Sequence, residues 1–337
     1  MSNIIQNRRN QVILLKLQNR ELERHNNELE RQNNELERQN NELERQQMKL
    51  NKQKNKTVKE RPSQKTSIIK YLKDIELNSK IIHESISNKI KNVLSFATHQ
   101  KKNTQKVFVN NFSNMNLSYI DTFIVILSTQ LSKYKKEEYI KTIIDFFENK
   151  NKNIVIIEDI DNKYIDFGKH KIGYDYLIKN NYTVDHIHLI NDSIIITEPI
   201  NHIFKMIKNK LKNNSYIGIL ETTQVNTHYQ SWWLILKNNI LDYYFNNLIT
   251  IQTINNNQKI NFMIHLNEVQ LGNKIITKNN TTACFITPYP KKQLNIFFND
   301  DNLYYKMYVN GFKFLKIKRL NTRFTNKKLE KIYSKYI

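Results

Sequence analysis

From Thr122 onward the hydrophobic residues alternate between two spacings. Short β-branched runs, typical of buried strands, are separated by stretches in which apolar residues recur about every three to four positions, which is typical of helices. The pattern predicts, in order, a strand over Thr122–Leu127, a helix over Lys135–Phe147, a strand over Asn153–Ile157, a helix over Lys169–Lys179 and a strand over His186–Ile190. This alternation is typical of a layered α/β domain of the Rossmann type with a mostly parallel sheet.

The flanking regions are less regular. The later half predicts a helix near Pro199–Leu211 and strands over Ser215–Leu220 and Tyr229–Leu236. On the amino-terminal side, apolar residues recur at helical spacing over Ser67–Phe96, which predicts one or two amphipathic helices. A polar break at Lys101–Gln105 then places the start of the folded domain near residue 106.

A repeat precedes this domain. Four near-identical heptads occupy Asn19–Gln46, with leucine at every seventh residue, as at the d positions of a coiled coil. Asn at the a positions weakens such a seam, because each buried Asn fixes register at a cost in stability. Two interpretations stay open: self-association through residues 12–50, or a solitary helix stabilised by Glu–Arg pairs. The predicted organisation is a heptad-repeat coiled coil at 1–56, a linker with amphipathic helices at 57–105, and an α/β domain at 106–337.

The amino-acid composition limits the partners and the cellular location that we expect for the protein. The 337 residues carry 53 Lys and Arg against 31 Asp and Glu, a formal net charge of +22. The basic residues form no single stripe and no nucleic-acid motif is present, so we expect no specific nucleic-acid partner. A single cysteine, Cys284, excludes an internal disulfide framework and a thiolate zinc cluster. This cysteine content leads us to expect an intracellular, cytoplasmic protein. No apolar run reaches the roughly 20 residues of a spanning helix, so we expect no transmembrane segment.

Two polar segments stand at the ends of predicted elements. Tyr164–Gly173 is a turn that enters a helix, and Leu189–Ser193 ends a strand with the acidic residue Asp192. Ligands of α/β proteins bind at the carboxyl ends of strands. A carboxylate at such a position can bind a divalent metal that compensates the charge of a diphosphate. The two segments therefore predict a nucleotide-sugar site.

These segments, together with His228–Trp233 and Asn310–Lys316, resemble four blocks of the rhamnan synthesis protein F family of glycosyltransferases, in the same order. The resemblance covers about Thr122 to Leu320. It implies a GT-A-like, Rossmann-type nucleotide-sugar domain, here preceded by a long N-terminal α-helix or coiled coil. It also implies transfer of a sugar, such as rhamnose or another deoxyhexose, from a nucleotide-sugar donor to a glycan or protein acceptor.

The resemblance assigns donor-binding roles to several residues. Asp166 would accept a hydrogen bond from a ribose or sugar hydroxyl, and the alternative role for it is a helix N-cap. Asp192 would be a catalytic residue that binds Mn²⁺ or Mg²⁺, and the alternative is a cap of the following turn. Basic residues of the last block could pair with the donor diphosphate. The other predicted donor-binding residues are Gly168, Lys169, Asn191, Ser193, Lys316 and Arg319.

The third block supplies the predicted acceptor site. His228, Gln230 and Trp232 would share one face of a strand, because side chains alternate along it, and Ser231 would point to the other face. Polar groups beside aromatic rings suit a sugar, so we expect these four residues to bind the acceptor. For one of Trp232 and Trp233, core packing is the alternative.

Inverting sugar transfer needs a general base for the acceptor hydroxyl. Glu268 matches the family's Glu before a Leu, so the resemblance assigns this role to Glu268, with a solvent-facing helix residue as the alternative. Two functions stay open at this point. The first is an active glycosyltransferase, and the second is a catalytically inactive transferase-like domain on a coiled-coil scaffold.

Overall fold

The computed structural model describes residues 68–99, 104–128, 133–223, 226–252, 256–278, 281–286, 297, 300–320 and 322–336. They belong to one compact unit that spans Ser67–Ile337. The predicted coiled coil at 1–56, with the self-association segment 12–50, lies outside the described residues.

Strands and helices alternate through most of this unit. The strands are β1 (Ile68–Tyr71), β2 (Ser79–Ser85), β3 (Asn92–Thr98), β4 (Thr122–Leu127), β5 (Asn153–Asp159), β6 (His186–Asn191), β7 (Ile194–Ile196), β8 (Tyr216–Thr222), β9 (His228–Tyr229), β10 (Trp233–Lys237), β11 (Ile249–Gln252), β12 (Thr282–Ile286) and β13 (Phe314–Lys316). The helices are α1 (Thr104–Ser113), α2 (Lys133–Glu148), α3 (Ile165–Lys179), α4 (Asn201–Lys210), α5 (Asn238–Asn246), α6 (Asn256–Ile264), α7 (Leu271–Lys278), α8 (Asp301–Val309) and α9 (Lys327–Tyr333). A π-helical turn, His265–Gln270, joins α6 to α7.

The main sheet has the strand order β12-β8-β10-β6-β3-β4-β5-β2, and β9 pairs with β8. The neighbouring strands β6, β3, β4 and β5 run parallel, whereas β10 and β2 are antiparallel to their neighbours. Counted from β3, the order β5-β4-β3-β6 is 3-2-1-4, the order of a doubly wound nucleotide-binding sheet. The chain reverses its winding direction between β3 and β6, and ligands of such sheets bind at that crevice. The predicted α/β fold with a mostly parallel sheet is confirmed.

Apolar side chains fill both faces of the sheet. One core packs α1, α2, α4, α8 and α9 against it, and the other packs α3, α5 and α7 against the opposite face. Strand β4 is buried along its whole length, which explains its continuous apolar run. None of the helices in the described ranges is both long and apolar enough to cross a membrane.

The structure differs from the sequence prediction before residue 106. The segment Ser67–Phe96, predicted as amphipathic helices, forms β1, a short 3₁₀ turn, β2 and most of β3 among its described residues. Its apolar residues are too closely spaced to distinguish a helix from a strand that is buried on both faces, as β3 is. Because β3 lies at the centre of the sheet, the folded domain includes residues that were predicted to precede it.

The predicted strand Tyr229–Leu236 also differs, because it is divided. β9 ends at Tyr229 and β10 begins at Trp233, so Gln230, Ser231 and Trp232 lie in the connection between them. Strict alternation of side chains therefore does not apply across this block. Gly218 makes the packing of β9 possible, because a Cβ at this position would lie 2.3 Å from the Tyr229 Cβ atom.

Candidate functional site

Polar side chains converge at the crevice between β3 and β6. Thr98 and His99 stand at the carboxyl end of β3, and Asn191, Asp192 and Ser193 stand at that of β6. The two strand ends are held together, because the Asp192 N–H donates to the Ala97 carbonyl at 3.2 Å. The structure therefore brings the predicted Asn-Asp-Ser segment to the position where ligands of doubly wound sheets bind.

Asp166 reaches this crevice from the first turn of α3. The helix begins at Ile165, whose φ of 47° is a strained conformation for a β-branched residue. Gly168 permits this entry, because a Cβ there would lie 2.5 Å from the Tyr164 Cβ. Strain of this kind is found where the surrounding structure fixes a functional side chain.

The carboxylate of Asp166 is bound at both oxygens. His99 Nε2 lies 2.7 Å from Oδ1, and Asn191 Nδ2 donates to Oδ2 at 2.8 Å. The residue before the helix makes no side-chain capping bond. These contacts place Asp166 in the crevice and do not support the N-cap alternative. Burial alone would raise the pKa of Asp166, but the hydrogen bond from His99 and nearby positive charges bring it below its usual value.

Asp192 is held by the end of β3. Its Oδ2 accepts hydrogen bonds from Thr98 Oγ1 and from the His99 N–H, both at 2.8 Å. These bonds go back to β3, so they do not support the alternative in which Asp192 caps the turn that follows it. Burial, followed by the negative charge of Asp166, raises the pKa of Asp192. The crevice thus contains two neighbouring carboxylates that repel each other.

A chain of hydrogen bonds continues from Asp166 to a lysine. Asn191 Oδ1 accepts from Ser193 Oγ at 2.5 Å, and Ser193 Oγ in turn accepts from Lys316 Nζ at 2.9 Å. Lys316 is fixed by the backbone, because β13 pairs with β7 and aligns Lys316 with Ile194. Burial lowers the pKa of Lys316 to about 8, against the opposing influence of Glu268. The structure therefore unites Asp166, Asn191, Ser193 and Lys316.

Two predicted donor-binding cations have other partners. Lys169 is fully buried, and its Nζ lies 3.3 Å from Asp159 Oδ2 and 2.7 Å from Asn162 Oδ1. Arg319 is bound to Asp301 at 2.6 Å, and both side chains are 7% exposed. Because each cation is already paired with a buried carboxylate, neither is available for a direct bond to a diphosphate, although the charge of Lys169 still helps to lower the pKa of Asp166. Lys316 differs from both, since its Nζ donates to the neutral Ser193 hydroxyl and lies over the Phe297 ring.

Glu268 joins the predicted acceptor block. It lies on the π-helical turn, and its Oε2 accepts hydrogen bonds from the Ser231 N–H at 3.2 Å and from the Ser231 hydroxyl. His228 Nε2 lies 3.5 Å from Glu268 Oε1, while His228 Nδ1 donates to the Asn226 carbonyl at 2.6 Å. These contacts do not support the alternative of a solvent-facing Glu268. Burial alone would raise the pKa of Glu268, but the bonds from His228 and Ser231 lower it.

Gln230 and Trp232 face the core. Trp232 is 2% exposed and packs among Phe297, Phe312 and Phe314. Its indole Nε1–H donates to Gln230 Oε1 at 2.8 Å, and Gln230 is 6% exposed. Trp233 is also fully buried. Core packing, which was the alternative for one tryptophan, describes both, so contact of Trp232 with an acceptor stays a prediction without structural support.

Whether a divalent metal fits the crevice depends on the carboxylate oxygens of Asp166 and Asp192. In the described part of the chain, no group of three or more His, Cys, Asp or Glu residues is arranged to hold a metal ion. Both Asp166 oxygens and one Asp192 oxygen already accept hydrogen bonds. Mg²⁺, however, is commonly bound through one or two carboxylates together with substrate phosphates. The residues are therefore compatible with a metal that arrives with a diphosphate, and the assignment of Asp192 as its ligand stays a prediction.

His99, which contacts both Asp166 and Asp192, is not among the residues that the sequence motifs predict for the site. A signal for it exists, since Thr98 and His99 directly follow the apolar run Val93–Ala97. Because the spacing of apolar residues in this region predicts a helix, it does not mark Ala97–His99 as the end of a parallel strand.

Comparisons with known proteins give weak similarities. No protein-family model matches the chain, so its resemblance to the rhamnan synthesis protein F family is not confirmed. No curated protein matches it either. Among solved structures, it is similar to the glycosyltransferase GlyE of Streptococcus pneumoniae, with 11% identity, a TM-score of 0.41 and coverage of 74% of this chain. The chain spans only 60% of the length of GlyE.

Two further structures are similar at the same level. A mannosyltransferase from Pyrobaculum calidifontis, in complex with GDP-Man and Mn²⁺, shares 8% identity, a TM-score of 0.31 and 47% coverage of each chain. A 4-diphosphocytidyl-2C-methyl-D-erythritol synthase from Anaerococcus prevotii shares 9% identity and a TM-score of 0.33, over 65% of this chain and 99% of that one. All three TM-scores lie below 0.5.

Proposed function

We propose that this protein is a glycosyltransferase that uses a nucleotide-sugar donor. The observation that carries the proposal is the continuous chain of polar side chains at the crevice between β3 and β6. It runs from His99 through Asp166, Asn191 and Ser193 to Lys316. A carboxylate, an amide, a hydroxyl and an ammonium in one crevice match the hydroxyls and the diphosphate of a nucleotide sugar.

The donor would be bound by residues of this crevice. The Lys316 ammonium is held against a neutral hydroxyl, so an arriving diphosphate can take its charge without breaking an ion pair in the described part of the site. Asp166 would accept a hydrogen bond from a ribose or sugar hydroxyl. Asp192 would hold a divalent metal, which when bound neutralises charge on the diphosphate. Lys169 and Arg319 would stabilise the fold through their ion pairs with Asp159 and Asp301, without contacting the donor.

Glu268 would act on the acceptor. In this step the acceptor oxygen forms a bond to the anomeric carbon, its proton passes to a Glu268 carboxylate oxygen, and the bond to the diphosphate breaks with its electron pair leaving on the diphosphate. Ser231 and His228 hold the carboxylate in place. The negative charge of Glu268 raises the pKa of Lys316 against the effect of burial, which supports a donor side and an acceptor side that lie near each other.

The finer assignments come from the four sequence blocks. We propose rhamnose or another deoxyhexose as the transferred sugar, and a glycan or a protein as the acceptor. Self-association through residues 12–50 and an intracellular location belong to the same proposal. The chain spans 60% of the length of GlyE and 47% of that of the mannosyltransferase, so the activity and partners of the whole protein stay proposals.

A second function is favoured by one observation. Every carboxylate of the site already accepts hydrogen bonds from the protein itself, as in a buried structural network. Such a network would also be retained in a transferase-like domain that has lost catalysis. Binding of a donor without turnover would favour this alternative.

Donor binding and slow hydrolysis distinguish the two functions. UDP-glucose, GDP-mannose and dTDP-rhamnose are titrated into the protein by calorimetry, with and without Mg²⁺ or Mn²⁺, and nucleotide release is measured over hours. We expect one donor to bind and to be hydrolysed, and Asp192→Ala to abolish the metal-dependent part of the binding. Asp175→Ala is the matched control, because this α3 carboxylate is 48% exposed and pairs with Lys171. If no donor binds the unaltered protein, the proposed function is wrong.

A further inference from the structure

One residue contacts both acidic side chains of the crevice. The His99 N–H donates to Asp192 Oδ2 at 2.8 Å, and the His99 ring Nε2 lies 2.7 Å from Asp166 Oδ1. A carboxylate oxygen only accepts hydrogen bonds, so the ring nitrogen facing it is the donor. His99 therefore joins three elements that are distant in sequence: the ends of β3 and β6 and the first turn of α3.

The ring bond determines the orientation of Asp166. The other oxygen of Asp166 accepts from Asn191 Nδ2 at 2.8 Å. With one donor at each oxygen, the carboxylate cannot rotate without breaking a charge-assisted hydrogen bond. If Asn191 were its one hydrogen-bond donor, the Asp166 carboxylate could rotate. The orientation of Asp166 in the crevice therefore depends on the His99 ring.

Asp192 depends on His99 in a different way. Its Oδ2 is held by the backbone N–H of His99 and by the Thr98 hydroxyl, and neither bond involves the imidazole. A substitution at position 99 keeps both of these bonds in place. The two functions of His99 can thus be separated by changing its side chain alone.

Both partners in the ring bond are accessible to a ligand. The His99 side chain is 26% exposed and that of Asp166 is 24% exposed, although His99 directly follows β3, a central strand of the sheet. A buried structural pair would be covered on all sides. The partial exposure shows that the fixed carboxylate borders the open part of the crevice.

We infer that His99 is a positioning residue for donor recognition. Its imidazole holds Asp166 in the orientation in which the free lone pairs of the carboxylate accept a hydrogen bond from a hydroxyl of a nucleoside diphosphate sugar. This inference rests on the proposed function. It goes beyond the four sequence blocks, none of which contains His99.

Two substitutions at position 99 test it. Gln can place an amide N–H near the position of Nε2, whereas the shorter Asn cannot. We expect His99→Asn to weaken binding of the donor that the unaltered protein binds, among UDP-glucose, GDP-mannose and dTDP-rhamnose, by about 10- to 100-fold, the range for one hydrogen bond to a charged group. His99→Gln should recover most of this loss. His83→Asn, whose side chain on β2 is also 26% exposed, is the control and should bind normally.

A double-mutant cycle separates positioning from a general loss of structure. If the ring acts through Asp166, then His99→Asn should weaken binding little further once Asp166→Asn is present. In an Asp192→Asn background, His99→Asn should keep most of its separate effect, because Asp192 is bound by the backbone. Thermal melts of each variant show whether it is folded.

Three results would overturn the inference. The first is unchanged donor affinity in His99→Asn. The second is an equal loss in the Asn and Gln variants when both are folded, and the third is full additivity of His99→Asn with Asp166→Asn. Each leaves the proposed function standing, because the unaltered protein still binds a donor. Absence of any donor binding by the unaltered protein would overturn the proposed function and the role of His99 with it.

Discussion

Replacement of Lys316 by methionine should stabilise the free protein while it weakens donor binding. The side chain keeps a similar length, but the ammonium is removed from a site where burial has lowered its pKa from 10.5 to about 8. Each pKa unit corresponds to about 1.4 kcal/mol, so the protonated form costs the folded protein about 3 kcal/mol at neutral pH. Loss of the Ser193 hydrogen bond offsets about 1 kcal/mol of this. We therefore expect a gain of about 1–3 kcal/mol in the free energy of unfolding.

The difference in free energy of unfolding between the unaltered protein and Lys316→Met should change with pH in a defined direction. The folded pKa of Lys316 lies below its unfolded value, so between pH 8 and pH 10.5 the unfolded chain binds more protons at this residue. The free energy of unfolding of the unaltered protein should therefore rise with pH across this window, relative to that of Lys316→Met. The advantage of the variant should be full at pH 7 and should vanish near the upper end of the window.

Urea unfolding followed by circular dichroism measures these differences. Lys318→Met is the matched control, because Lys318 is exposed and lies two positions away in the same segment. It should change the free energy of unfolding by less than about 0.5 kcal/mol at either pH. In parallel, Lys316→Met should weaken binding of the nucleoside diphosphate of the identified donor by about 10- to 100-fold, as expected for a charge-assisted hydrogen bond.

Two outcomes would refute this reasoning. If Lys316→Met lowers the free energy of unfolding by a similar amount at all pH values, the ammonium has a structural role and its burial is not the dominant cost. If the variant is stabilised as expected but binds the nucleoside diphosphate normally, Lys316 does not contact the diphosphate and the donor site must be assigned to other residues.

Three further predictions test the remaining assignments. Glu268→Gln should lower the turnover rate by about 100-fold or more and leave donor affinity within about twofold, and normal turnover would exclude Glu268 as the base. Gly218→Ala should lower the free energy of unfolding by about 3 kcal/mol or more in urea titrations, because its Cβ would overlap the Tyr229 side chain. Gly272→Ala is the control, because a Cβ has room there, and it should be neutral or slightly stabilising. Arg319→Met should lower the free energy of unfolding by about 3 kcal/mol, because it leaves Asp301 buried without its cation. Calorimetry should show unchanged donor affinity. Weaker donor binding by a folded Arg319→Met variant would mean that Arg319 belongs to the donor site.

The alternating half of the fold could be predicted from the sequence because its elements have distinct periods. Strand β4 coincides with its prediction, and α2, α3, β5 and β6 differ from theirs only at their ends. Residues 68–98 could not be assigned in this way. β3 is buried on both faces, so its apolar run has no period of two, and closely spaced isoleucines before it satisfy a helical template equally well.

The site could be predicted as a set of residue types, but the partner of each side chain could not. Lys316 and Arg319 are three positions apart in one basic segment, and from the sequence both could bind a diphosphate. Their difference comes from distant segments, since Asp301 neutralises Arg319, whereas Lys316 contacts the neutral Ser193 hydroxyl and the Phe297 ring. A buried cation that already has a carboxylate gains little from a second anion, whereas one that faces a neutral group gains the full attraction. Opposite effects of Lys316→Met and Arg319→Met on stability and on donor affinity are therefore the expected consequence of tertiary pairing, which no local pattern records.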